Sequence, residues 1–315
     1  MAATTHNGSE VFAATLKNAL RKYPDRTDAR YRLEQLFPEV LPSFHISAET
    51  AVFTIGSCFA RNVEEALLRA GVKVPTAAFI APQEEAPGRP NRVLNQYNLG
   101  TMLQWVAATE NGVPSGGYLD AGNDMVVDGL LSTGSRPVSR ARADERRAQI
   151  VELYREGLRI ADTVVITLGL IETWYDHSAG LYMNEAPTRA ALKADEARYE
   201  FRRMDVDECL RLASELIERL SAGRPRNIVM TVSPVPLQVT FAGGDAVTAN
   251  GYSKAVLRVV AELVSARFPN VDYFPSFEAV STMGLRAFGE DNVHVKSMVV
   301  ESVVQHMLDH YLEAT

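Results

Sequence analysis

Three residues have the types and spacing that acyl chemistry requires. Ser57 stands in "TIGSCFAR" (54–61), and Asp291 and His294 stand in "EDNVH" near the far end of the chain. Gly56 can take backbone angles that a side chain would forbid. The following residue is then lifted to the apex of a turn, beside the free N–H groups of a new helix. A serine hydroxyl is a poor nucleophile at neutral pH and needs a base. A carboxylate three residues before a histidine can accept from one ring nitrogen and leave the other free to take a proton. Ser57, Asp291 and His294 thus read as a triad in the chain order Ser, Asp, His. Taken alone, Asp291 could merely cap a helix and His294 could be a packed side chain; the pairing with the Gly-Ser turn favours the triad. Cys58 is the competing nucleophile, since a thiol is intrinsically stronger. Ser57 is expected to react instead, because it directly follows the turn glycine, whereas Cys58 opens the helix with its side chain directed inward.

These residues must be positioned by elements that lie far apart in sequence. Four short apolar runs, 51–55, 163–168, 227–232 and 271–274, are rich in β-branched residues and fit strands buried on both faces of a parallel sheet. Segments with helical spacing lie between them, including 59–70 and 207–220. This alternation predicts an α/β fold. In such sheets ligands bind beyond the carboxyl ends of the strands. The residues just after each run are therefore informative: "GSC", then "GLIETWYD", then "SPVP", and finally the segment leading to "DNVH". Glu172 and Trp174 come after the second run, where a buried carboxylate would be expensive without a purpose. Glu172 reads as a substrate or supporting hydrogen-bond acceptor, and Trp174 as a sugar-stacking platform or a core residue. Ser233 shapes the turn before Pro234. Residues 1–48 read as an N-terminal helical extension and 49–315 as the main domain, with 72–145 an irregular insertion of loops and short helices.

The "GSCFA" stretch, with "TLGLIETW", "TVSPVP", "FPSFE" and "EDNVH" in that order, resembles the GSCFA family, which is similar to the SGNH (GDSL-like) esterases and acyltransferases. The resemblance covers roughly residues 50–312. It implies a flavodoxin-like three-layer α/β/α sandwich, Ser57 as nucleophile and Asp291 with His294 as the closing block. It also implies backbone donors at Ser57 and Cys58 for an oxyanion. The chain departs from the SGNH pattern in its third block, where Gly169-Leu170-Ile171-Glu172 replaces Gly-x-Asn and removes an oxyanion donor. Asn98, in "NQYNLG", is the residue that could restore the amide, with a loop-closing role as the alternative. The Asn-Cys-His of many relatives is reduced here to Asn184.

Composition narrows the field. The chain has 315 residues, 46% apolar and 23% charged, as in an ordinary globular protein. No run is long enough to suggest a membrane span, and the N-terminus lacks the pattern of a signal peptide. With two cysteines, Cys58 and Cys209, a disulfide framework is excluded and a cytoplasmic location is expected. A net charge of −7 disfavours nucleic acid. The basic stretch "RPVSRARADERR" reads as a solvated helix start, or else as a docking surface for an anionic substrate. No dinucleotide fingerprint or phosphate-binding loop is present, so no cofactor is expected. His306 and His310 are four apart but lack a third ligand, so no metal is expected either. The expected function is ester hydrolysis or O-acyl transfer, on a small-molecule or carbohydrate ester, through a seryl-acyl intermediate. The alternative is a non-catalytic module that uses the same fold to bind a glycan or a protein.

Overall fold

The computed structural model describes residues 5–47, 49–86 and 88–313. Four parallel strands form the central sheet: β1 (Ala51–Gly56), β2 (Ala161–Leu168), β3 (Asn227–Val232) and β4 (Val271–Tyr273). They lie in the order β4-β3-β2-β1. All six residues of β1 are buried, as are seven of the eight in β2. That explains why these runs are apolar throughout rather than alternating. On the outer side of β1, Ala51 bridges Lys73 and Gly56 bridges Asn95, both in parallel sense. If the bridge at Lys73 is counted as a remnant strand, the order becomes the 2-1-3-4-5 of flavodoxin-like folds.

Six longer helices cover the sheet: α1 (Cys58–Arg69), α2 (Leu99–Asn111), α3 (Arg140–Ile160), α4 (Val206–Ser221), α5 (Ala246–Arg267) and α6 (Ser297–Tyr311). Side chains alternate across each strand, so Val52, Val165 and Val229 pack beneath α1 and α6 on one face. Phe53, Ile166 and Met230 pack against α2, α3, α4 and α5 on the other. The result is the three-layer α/β/α sandwich. Short polar side chains start most of these helices: Ser139 accepts from Arg142 N, Asp205 from Glu208 N, and Asp245 from Val247 N and Thr248 N.

Beyond the sandwich, residues 72–145 hold more order than loops and short helices. They contain α2 and an antiparallel sheet of Tyr118–Gly122, Met125–Asp128 and Val138–Ser139. A second antiparallel sheet joins Glu172–Asp176 to Leu181–Met183 and Tyr199–Arg203. Among the described residues of the N-terminal segment a helix forms only over Gly8–Lys17, and none of its residues is buried. Farther on, Phe37, Val40 and Ile46 enter the core shared with α6. No helix among the described residues is long and apolar enough to cross a membrane.

Candidate active site

Ser57 caps α1 at the turn leaving β1. Gly56 adopts φ +135°, and a Cβ there would collide with the Thr167 carbonyl and hydroxyl. Only glycine suits both the angle and the contact. Ser57 N donates to Thr167 Oγ1 at 2.9 Å, and Ser57 Oγ lies 3.3 Å from the same hydroxyl. Ser57 Oγ also accepts from Phe59 N at 3.4 Å, a long cap bond. The neighbouring β2 thus fixes the serine backbone.

A cleft of about 730 Å³ opens over this turn. Ser57, Gly169, Ser233 and His294 all line it. The first three come directly after β1, β2 and β3, so consecutive strand ends converge at the edge where parallel sheets bind ligands. His294 comes from a hairpin closed by a bridge between Phe288 and Val295, with Asn292 at φ +54° and Gly289 N donating to His294 O at 2.8 Å. Asp291 organises this hairpin. Its Oδ1 accepts from Val293 N and His294 N, each at 3.0 Å, and its Oδ2 lies 2.5 Å from His294 Nδ1. The bond to His294, with those backbone N–H groups, holds the Asp291 carboxyl down at about 2. With Asp291 accepting at Nδ1, the lone pair of a neutral imidazole lies on Nε2. Among the described residues no hydrogen bond joins Ser57 to His294, and the imidazole is 77% exposed. The carboxylate–imidazole pair is complete, while the serine hydroxyl rests on Thr167.

The donors available to an oxyanion differ from those expected. Ser57 N is engaged by Thr167. Cys58 N, at the first position of α1, is among the N–H groups that a helix leaves without an internal acceptor. The Asn98 amide is occupied, because its Oδ1 caps Thr101 N at 2.9 Å and its Nδ2 donates to Met183 O at 3.0 Å. Asn98 therefore closes the start of α2 and does not line the cleft. Asn95 does line it. Its Oδ1 has no partner among the described residues, and its Nδ2 lies at the limit of bonding, 3.5 Å from Tyr97 Oη. Gln96 N donates to Gly56 O at 2.8 Å, and Asn184 braces this segment through Asn95 O at 2.9 Å and Tyr97 N at 2.8 Å. Of the two roles the sequence offered Asn98, the structure places it in the loop-closing one, and the amide beside the cleft is that of Asn95. Asn98 stands three residues before Thr101 at the start of a helical stretch, a capping signature that could have separated the two.

Gly169 allows a close approach, since a Cβ there would lie 2.6 Å from Tyr97 O. Its carbonyl accepts from Lys254 Nζ at 2.9 Å. Lys254 is 1% exposed, and burial holds its ammonium down at about 7. This lysine was not foreseen, although its place on the apolar stripe of α5, three residues before Leu257, was a signal. Burial pushes the Cys58 thiol up, against an opposing pull from Arg89 and Lys254. Ser233 N donates to Leu168 O at 2.8 Å, and its hydroxyl accepts weakly from Val235 N at 3.4 Å.

Glu172 and Trp174 lie outside the cleft lining. Glu172 accepts from Thr240 Oγ1 at 2.7 Å and from Phe241 N at 2.9 Å, tying down the loop whose earlier part, Val235 to Val239, forms one cleft wall. Trp174 packs edge-on against Phe201 and Phe241. The basic stretch at 136–147 is exposed at its loop and helix start, through Arg136 and Arg140, but not at its end. Arg146 and Arg147 are fully buried; Arg146 pairs with Glu85 at 3.0 Å and Arg147 with Asp128 at 2.6 Å. His306 is buried with Nε2 3.0 Å from Pro38 O, and His310 Nδ1 lies 2.7 Å from His306 O. No cluster of three or more His, Cys, Asp or Glu placed to hold a metal is found among the described residues.

No curated protein and no solved structure matches the chain. The GSCFA family model matches residues 51–307, a span that begins with β1 and takes in Ser57, the Asp291–His294 hairpin and most of α6. This protein belongs to the GSCFA family.

Proposed function

We propose that this protein is an SGNH-like ester hydrolase or O-acyltransferase working through a seryl-acyl intermediate. The observation that carries this reading is that His294, with Asp291 Oδ2 2.5 Å from its Nδ1, lines the same cleft as Ser57. In the proposed reaction Ser57 Oγ turns from Thr167 and attacks the acyl carbon, while His294 Nε2 takes the hydroxyl proton. Asp291 keeps the Nδ1 proton oriented and stabilises the imidazolium that forms. Cys58 N–H and Asn95 Nδ2–H would receive the oxyanion. His294 then gives its proton to the leaving alcohol, and water or an acceptor hydroxyl takes the acyl group from Ser57 by the reverse sequence.

A carbohydrate ester is the proposed substrate, by the family's resemblance to SGNH enzymes. A cytoplasmic location is part of the same proposal, supported by two free cysteines. The second reading, a non-catalytic glycan- or protein-binding module, is favoured by one observation: among the described residues no hydrogen bond connects Ser57 with His294. A fluorophosphonate probe separates the two. Labelling of wild type with none of Ser57→Ala supports the esterase. Absence of labelling, together with no turnover on a broad ester panel, supports the binding module.

A further inference from the structure

The cleft has a charge character opposite to that of the whole chain. The protein carries a net charge of −7, yet among the described residues the cleft lining includes Arg61, Arg89 and Arg92 and no Asp or Glu. Arg61 lies in the floor, 1% exposed, one turn along α1 from Ser57. One of its nitrogens, Nη1, pairs with Glu64, itself buried and bonded by Thr54, Thr76 and Asn91. The other two, Nε and Nη2, are buried donors without a partner among the described residues. Such donors are rare in folded proteins unless water or a ligand meets them. Arg89 stands at the rim, bonded to Asn62 Oδ1 at 3.1 Å and to the half-exposed Glu65 at 2.8 Å. A pair of that kind is weak and exchanges readily for a better-placed anion. The N-terminus of α1 faces the same space and adds its partial positive charge.

Building on the reading of this cleft as an ester site, we propose that its substrate carries an anionic group, a carboxylate or a phosphate, seated on Arg61 and Arg89. Arg61 is four residues beyond Ser57, so the two residues stand about one helical turn, about 5.4 Å, apart along α1. The planar guanidinium fork suits either oxyanion. This subsite would select an acidic sugar or a sugar phosphate over a neutral one, and it would fix which ester of a multiply acylated substrate meets Ser57.

The test is calorimetric titration of the Ser57→Ala protein with inorganic phosphate, the methyl glycoside of glucuronic acid with its carboxylate free, and methyl glucoside. At least one anion is expected to bind about tenfold or more tighter than the neutral glucoside, and the better anion identifies the source of the charge. Arg89→Gln in the same background is expected to lose about tenfold in anion affinity with an unchanged melting temperature. Arg61→Lys, which keeps a charge beside Glu64 but lacks the fork, is expected to lose a similar factor. If Arg61→Lys fails to fold, Arg89→Gln decides alone. Equal affinity for all three probes, or an Arg89→Gln protein that binds the anions as wild type does, overturns the proposal. Fluorophosphonate labelling of the wild type keeps the two readings separate. Labelling without anion preference removes the subsite and leaves the esterase. Anion binding without labelling and without ester turnover supports the subsite and removes the esterase.

Discussion

Ser57 and Cys58 are adjacent, but their surroundings assign them different work. Burial keeps the Cys58 thiol protonated at neutral pH, and its raised position argues against a thiolate nucleophile. Cys58→Ala is expected to keep most turnover and Ser57→Ala to lose it, with mass spectrometry placing a trapped acyl group on Ser57; an acylated Cys58 would reverse the assignment. Asn95→Ala should lower kcat by about 10²-fold with little change in KM, the signature of a donor used in the transition state. A KM effect alone would make Asn95 a substrate contact. Asp291 is held at about 2, below the usual carboxylate value, so its bond to His294 persists above about pH 4 and is lost only as pH falls through about 2. Lys254 carries the opposite sign. Its ammonium titrates at about 7 in the folded chain, against about 10.4 when free. Between those values the unfolded chain binds a proton that the folded chain lacks, so stability rises with pH across that window. Lys254→Met should therefore gain most on wild type in urea midpoint at about pH 6 and least near about pH 10. A pH-independent difference would show that Lys254 keeps its proton when buried.

Among the elements, those with the most regular patterns were the most legible. The runs at 51–55 and 227–232 became β1 and β3 almost residue for residue, because strands buried on both faces must be apolar throughout. The antiparallel sheet of Glu172–Asp176 was not legible. Its strands are half-exposed and carry Glu, Tyr and Arg, so no continuous apolar run marks them. That missed sheet explains the position of Glu172, which serves the cleft from behind by holding Thr240 and Phe241. Glu172→Ala should raise KM several-fold at nearly constant kcat by loosening the wall from Val235 to Val239, with Glu172→Gln recovering part of the loss. A fall in kcat alone would place Glu172 in the chemistry. Gly56→Ala meets both a left-handed backbone and the Thr167 carbonyl, and should cost more than about 2 kcal/mol in denaturant unfolding.

On the scale of the whole molecule, the candidate triad could be read from sequence because its three residues sit in short motifs with their own local logic. The arginine floor and the Lys254–Gly169 bond could not, since each is created only when segments distant in sequence meet at the sheet edge. The outer strap is equally non-local. Ile46 N donates to Tyr311 O at 2.7 Å, Glu313 N returns to Ile46 O at 3.1 Å, and Ser43 binds Asp272 through N at 2.8 Å and Oγ at 2.7 Å. Contacts between such distant positions form slowly, because the loop they close must be ordered first. In chain order Ser57 precedes β2, β3 and β4, and His294 follows them. Ser57 and His294 therefore come to one cleft only when the segments carrying β2, β3 and β4 are in place. In refolding from urea, far-ultraviolet circular dichroism should recover before the proposed esterase activity, and the delay should lengthen when Ser43→Ala removes the hydroxyl bond to Asp272. Activity in this chain would thus serve as its own clock for the last step of folding.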